Sequence, residues 1–160
     1  MGGIPPGPQR RFDVLDLPGG WGVKSVRYQG RDITDVGADI EANQNPVGIE
    51  IVVSNETTDV AGIVNDANGQ PVDDYVVVVF SDNPARWAPG RSVMSARPDQ
   101  NGRFTLRDLR PGNYFAVALE YLENGAEYDP EVLGALREAA TRLTLADGEK
   151  KTITLRMVTQ

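Results

Sequence analysis

The chain has 160 residues, 40% of them hydrophobic, and a formal charge of −7 at pH 7. This is enough apolar material for one or two small modules, and too acidic a balance for a nucleic-acid partner, whose phosphates need a net basic surface. Histidine and cysteine are both absent, which removes the usual general base, the usual transition-metal ligands, both common activated nucleophiles and any disulfide.

Residues 1–10 are dominated by glycine and proline and end near Arg10-Arg11; they read as a flexible or extended leader without the charged and apolar regions of a secretory signal. Period-2 apolar patterns then predict strands over 12–17, 21–28 and 47–54. A short strand at Asp39-Ile40-Glu41 should turn through 43–46 and pair back along Ile49 to Val53. Farther on, strands are expected over 60–66, 75–81, 92–97, 103–107, 113–122 and 141–146, and again around Ile153, Leu155 and Met157. The run from Tyr75 to Phe80 is the most β-branched and apolar, so it should be a central strand buried on both faces, and 113–122 is apolar on both faces too. One helix interrupts the strands. Asp129 can cap it, Pro130 suits its first position, Glu131 complements its positive end, and Val132, Leu133, Leu136 and Ala140 fall on one face. It should run to about Ala140 and cover an end of the core. No apolar run approaches the roughly 18 residues of a membrane span.

Two motifs organise the second half: Gly62-x-Val64-x-Asp66-x-x-Gly69-x-Pro71-Val72, and Asp99-x-x-Gly102-x-Phe104-x-Leu106-x-x-Leu109-x-Pro111-Gly112-x-Tyr114. Their Asn-Gly and Pro-Gly steps mark tight reversals between strands with one buried face. The second motif has an earlier echo in Phe12-x-Val14-x-Asp16-Leu17-Pro18-Gly19-x-Trp21, which lines up with Phe104 to Tyr114 with one gap. An internal repeat of this kind indicates tandem modules. The earlier copy lacks a counterpart of Gly62 to Arg97, so the expected organisation is a leader at 1–10, a partial repeat at 11–57 with open edges, and a complete sandwich at 58–160. Trp21, standing where Tyr114 stands in the later copy, is expected in a core.

Together the two motifs resemble the carboxypeptidase regulatory-like family of transthyretin-like β-sandwiches. The resemblance covers 58–160 well and 11–57 in part. It implies an all-β, transthyretin-like (prealbumin-like) Greek-key sandwich with one short helix near 130–140, used as an add-on module for attachment, spacing and binding outside the cytoplasm, on a surface or in a periplasm. The related hydrolases of this fold depend on histidines, so their activity does not transfer. The collagen-binding stalk module of the same kindred locks itself with a Lys–Asn bond beside an acid. Here the only lysines are Lys24, Lys150 and Lys151, none of them in the first strand of the complete repeat, so that bond is not expected.

The remaining candidates are few. Asp73 with Asp74, and Glu120 with Glu123, are the obvious acidic neighbours, but adjacent strand residues point to opposite faces and do not converge as paired catalytic carboxylates must; no enzyme is expected. Asp66 and Asn68, and Asp99 and Asn101, offer hard oxygens to a calcium ion, but both are also ordinary hairpin turns in which Asp caps amides and Asn accepts a left-handed backbone. No other cofactor is indicated. Trp87, between Arg86 and Arg91 in a polar, turn-rich loop, could be a glycan platform or could fold over the sandwich and stack on one of those arginines. From Asp32 to Ala85 there are eleven acids and no Lys or Arg, whereas Arg86 to Arg110 carries six arginines against Asp99 and Asp108. On separate faces these runs would favour head-to-tail contact or docking on an acidic partner; interleaved, they would make cross-strand ion pairs. The sequence thus points to a non-catalytic structural or binding module of a larger protein. Its partners would be neighbouring domains, a second copy through an open sheet edge, or a glycan at Trp87.

Overall fold

The computed structural model describes residues 7–87 and 92–159. The chain divides between Glu56 and Thr57 into two compact units.

The first unit holds strands β1 (Gly7–Arg10), β2 (Gly22–Tyr28), β3 (Arg31–Asp32), β4 (Ala38–Ile40) and β5 (Glu50–Ser54). β2 lies between β3 and β5, antiparallel to both, and β1 pairs with β4. A register shift between Val23 and Ser25 turns Val23 and Val26 to the same side. There they join Tyr28 and Ile33 in a small core, against which Phe12, Val14, Leu17, Ile51 and Val53 pack.

Several expectations change here. Part of the leader, 7–10, is a strand, because β4 supplies a ladder for it; 1–6 lie outside the described residues. Conversely, 12–17 is not a strand, since no strand among the described residues lies alongside to hydrogen-bond it, although Phe12, Val14 and Leu17 still turn inward. The segments around Ile40 and Ile51 do not pair with each other: β4 goes to β1 and β5 to β2. Trp21 is 43% exposed where Tyr114 is 2%; it precedes β2 rather than lying inside a two-layered core, so the expectation that it is buried fails.

The second unit is an all-β sandwich with one short helix. Its strands are β6 (Thr58–Asn65), β7 (Pro71–Val72), β8 (Val76–Ser81), β9 (Val93–Ala96), β10 (Arg103–Leu109), β11 (Gly112–Leu119), β12 (Thr141–Leu145) and β13 (Lys150–Val158), with α1 at Pro130–Leu136. In one sheet β6 lies between β10 and β13; in the other β11 lies between β12 and β8, and β8 carries β9 on its far side. β13 runs parallel to β6 from Lys150 to Arg156, then passes to the second sheet, where Met157 and Val158 pair with Ala118 and Leu119. The inner core joins Val60, Val64, Phe104, Leu106 and Leu155 to Tyr75, Val77, Val79, Tyr114 and Ala116. The other face of the second sheet, with Val78, Phe80, Phe115 and Val117, is covered by Leu133, Leu136 and Trp87. This double cover is why β8 and β11 are apolar on both faces.

The helix begins as its sequence dictates: the Asp129 carboxylate accepts from the Glu131 amide at 2.8 Å, and Pro130 fills the first turn. It ends at Leu136, a turn earlier than expected, though Ala140 still packs on the same cluster. It covers the outer face of a sheet rather than an end of the sandwich, because that face is itself a row of large apolar side chains. β6 and β13 approach closely at Gly62, where a Cβ would stand 1.9 Å from the Ile153 carbonyl oxygen and 3.1 Å from the Phe104 ring.

Candidate functional site

The loop after β8 carries the strongest ligand candidates. The hydroxyl of Ser81 accepts from the Asn83 amide, and the Asn83 side chain accepts from the Ala85 amide, which sets up one 3-10 turn at Pro84–Arg86. The turn delivers Trp87 back onto the sheet. Its indole N–H donates to the Ser81 carbonyl at 2.7 Å, and its ring meets Phe80 edge-on, 5.7 Å between centroids. Trp87 therefore closes the outer cluster, with its polar tip bonded and its ring partly buried. Arg86 is exposed at the end of the turn. Arg91 lies outside the described residues. The stacked guanidiniums that the structure does show are elsewhere: Arg137 and Arg142 sit 5.2 and 5.4 Å from the Phe115 ring centre. Sequence reasoning missed both, because β11 and the residues after α1 meet only through the fold.

The two candidate calcium turns have one geometry. Asp66 Oδ1 accepts from the amides of Asn68 and Gln70, and Asp99 Oδ1 accepts from those of Asn101 and Arg103, all at 2.8 to 3.0 Å. In each loop the acid's amide donates to the carbonyl four residues on, and the glycine amide donates back to the acid's carbonyl. These are capped hairpin ends, with Gly69 and Gly102 at φ 81° and 71° as the turn demands. The amides of Arg103 and Asn101 hold the Asp99 carboxyl below its ordinary value against a smaller opposing effect of burial. The hydroxyl of Tyr75 donates to the Gly102 carbonyl at 2.8 Å and ties the second loop to the core. Among the described residues no three acidic side chains converge as ligands for a metal.

The arginine run is dispersed by the fold. Arg103 and Arg107 point outward from β10, while Arg110 is buried, its carbonyl accepting from the Tyr114 hydroxyl at 2.6 Å. A cross-strand ion pair forms with a lysine from outside that run: Lys150 Nζ lies 2.7 Å from Asp59 Oδ2 and also reaches Thr57. Burial raises the Asp59 pKa, but hydrogen bonds from Lys150 and the Asp108 amide outweigh it and leave the carboxyl below its ordinary value. With 56% of the lysine side chain exposed, this is a solvated ammonium facing a charged carboxylate.

Two open depressions lie away from these candidates. One of about 390 Å³ in the first unit is lined by Tyr28, Arg31, Asp32, Ile33, Asp39 and Gln44 among others. The second, about 250 Å³, lies beside β8 and β9 with Val76, Ser95, Arg97, Glu123 and Glu127. No sequence motif anticipated either. Among the described residues no helix is long and apolar enough to cross a membrane.

No protein-family model matches the chain, and no curated protein does. Solved structures do match in part. A streptococcal ancillary pilin is 18% identical with a TM-score of 0.43 over 88% of this chain and 45% of its own. The minor pilin of the Gram-positive pathogen Streptococcus agalactiae is 12% identical with a TM-score of 0.40 over 74% and 56%. A Pseudomonas aeruginosa protein proposed to bind carbohydrate is 14% identical with a TM-score of 0.36 over 62% and 87%. The chain spans about half the length of the two pilins.

Proposed function

We propose that this chain is a non-catalytic β-sandwich module of a larger extracellular or surface protein, serving domain spacing, docking or assembly. One observation carries the reading. The groups that could have formed a ligand site are used by the fold itself: the Trp87 indole by the Ser81 carbonyl, and the Asp66 and Asp99 carboxylates by their own turn amides. The absence of histidine and cysteine from the sequence supports it, as does the resemblance of the two motifs to those of carboxypeptidase regulatory-like modules. A glycan platform at Trp87 is not favoured, because that ring is partly buried against Phe80.

The test is the molar mass of the chain by light scattering over a wide concentration range, with calcium added or chelated. A mass that rises with concentration supports assembly, and a dependence on calcium would bring the Asp66 and Asp99 turns into it. A monomer under every condition leaves spacing and docking and removes assembly.

A further inference from the structure

The sequence has three Asn-Gly steps, Asn68-Gly69, Asn101-Gly102 and Asn124-Gly125. At such a step the glycine nitrogen can attack the side-chain carbonyl carbon of the asparagine, because the glycine has no Cβ to obstruct the approach. We propose that the fold protects the first two steps and activates the third. Asn124 is then a site of self-modification, with Glu127 as the base that accepts the Gly125 amide proton.

Attack requires the peptide plane between asparagine and glycine to swing toward the asparagine side chain. In the two hairpin loops the turn itself resists that swing. The amides of Gly69 and Gly102 donate to the backbone carbonyls of Asp66 and Asp99 at 3.1 and 3.0 Å, and the next amides, of Gln70 and Arg103, donate to the carboxylates of the same two residues. Those carboxylates hold the asparagine amides too. Turning either plane therefore strains several bonds at once, and the acceptor on the glycine proton is a neutral carbonyl, which is no base. In the second loop the Tyr75 hydroxyl also donates to the Gly102 carbonyl.

The third step lies in an exposed part of the segment between β11 and α1. Here the Gly125 amide donates to a side chain, Glu127 Oε2, at 2.9 Å. That is hydrogen-bond reach for a general base, and a side-chain carboxylate follows the nitrogen as the plane turns where a turn carbonyl cannot. The Ser95 hydroxyl on β9 donates to the other oxygen, Glu127 Oε1, at 3.3 Å and so positions the carboxylate. The turn bond from the Ala126 amide to the Glu123 carbonyl spans the moving plane and has to open. Glu123 and Arg97 line the same depression as Asn124 and Glu127.

As the bond from the Gly125 nitrogen to Asn124 Cγ forms, the proton on that nitrogen becomes acidic and passes to Glu127. The bond from Cγ to Nδ2 then breaks, and the side-chain nitrogen takes that proton and leaves as ammonia, which restores Glu127. Water opens the resulting cyclic imide. Cleavage at Cγ gives aspartate, whereas cleavage at the backbone carbonyl gives isoaspartate, which adds a methylene to the main chain. Either product places a further carboxylate in the depression beside Glu123 and Glu127.

The intact chain is incubated at neutral pH, and peptide mapping by mass spectrometry follows the loss of the amide at each asparagine. In the folded chain Asn124 should convert ~tenfold faster than Asn68 and Asn101, and the three should converge in denaturant, where only the shared Asn-Gly step remains. Glu127→Gln should slow position 124 ~tenfold or more, and Ser95→Ala should slow it less. Between about pH 5 and pH 7 the parent should change little at 124, since carboxylates in general are charged there, whereas Glu127→Gln should accelerate in proportion to hydroxide. Melting of each variant confirms that it is folded. Equal rates at the three steps in the folded chain overturn the proposal. So does a Glu127→Gln chain that reacts at position 124 as fast as the parent or faster, the result expected if the Glu127 bond does no more than pin the loop. A parent rate at 124 that follows hydroxide overturns the role of Glu127 as the base.

Discussion

In the second unit both faces of the sheet that contains β8 and β11 are covered, one by the opposing sheet and the other by α1 and Trp87. In the first unit a three-stranded sheet covers a small cluster of Val23, Val26, Tyr28 and Ile33, and Leu15, Trp21, Val36, Val47 and Val52 are exposed. The two begin from related motifs: Asp16 and Asp108 occupy matching places and adopt the same left-handed backbone, φ 60° and 59°. What differs is the material around them. β11 has β8 and β12 antiparallel on its two sides, and β2 has β5 and β3 in the same relation. The first unit therefore fills the place of its missing early strand with a later one, β5. That substitution completes a sheet but supplies no second layer, and it leaves β5 at the edge.

This contrast breaks if the first unit folds by itself. Residues 57–160 expressed alone should keep a cooperative unfolding transition close to that of the intact chain, whereas residues 1–56 alone should show none, because a chain of that size with so small a core falls short of its conformational entropy. Circular dichroism with denaturant reads both. A stable fragment 1–56 would mean that the exposed apolar residues are dispensable.

A single methyl group sharpens the same comparison. Gly62→Ala places a Cβ on the Ile153 carbonyl oxygen at the joint of β6 and β13, and backbone cannot retreat there without opening the sheet. It should cost about 3 kcal/mol or more, seen as a lower unfolding midpoint for the second unit only. Gly19→Ala, where nothing lies within 4 Å, should cost little. Equal effects would mean that β6 and β13 are less tightly joined than they look.

Trp87→Ala comes next in size. Removing a partly buried ring packed on Phe80, together with its bond to the Ser81 carbonyl, should destabilise the second unit by about 2–3 kcal/mol. An unchanged melting temperature would return Trp87 to the role of an exposed contact residue.

Much of the second unit was legible in the sequence because its signals are local. The β-branched run from Val76 to Phe80 marks a central strand, Asp129-Pro130-Glu131 marks a helix start, and the two Asp-x-Asn-Gly turns mark hairpins. The sandwich class followed from these. The first unit was less legible because pairing is not local: β1 is a strand only by virtue of β4, and Phe12 to Leu17 fails to be one only for want of a neighbour. Trp87 could not be assigned from its loop composition, since its fate depends on a carbonyl six residues back and on a ring in the adjacent strand.

The smallest expected effect concerns acid. Asp59 reaches across from β6 to Lys150 on β13, close to the point where the second unit begins, and burial raises its pKa less than its hydrogen bonds lower it. A carboxyl whose folded pKa lies below its unfolded value adds stability that is present above the unfolded value and is lost as pH falls through the folded one. Asp99, held down by the amides of Arg103 and Asn101, acts in the same direction. The second unit should therefore be at full strength near neutrality and weaken below about pH 4, where carboxylates of unfolded chains take up protons. Asp59→Asn should lower stability slightly at pH 7 and flatten the acid limb of the stability curve, while Lys150→Met should do less, because the Asp108 amide continues to hold the carboxylate. Chemical denaturation of the Thr57–Gln160 fragment from pH 7 to pH 3 separates the cases. If Lys150→Met removes the whole acid limb, the ion pair rather than the backbone amide is what keeps Asp59 charged. If neither substitution moves it, the acid sensitivity belongs to the turn carboxylates, and the joint of β6 and β13 depends on packing at Gly62 alone.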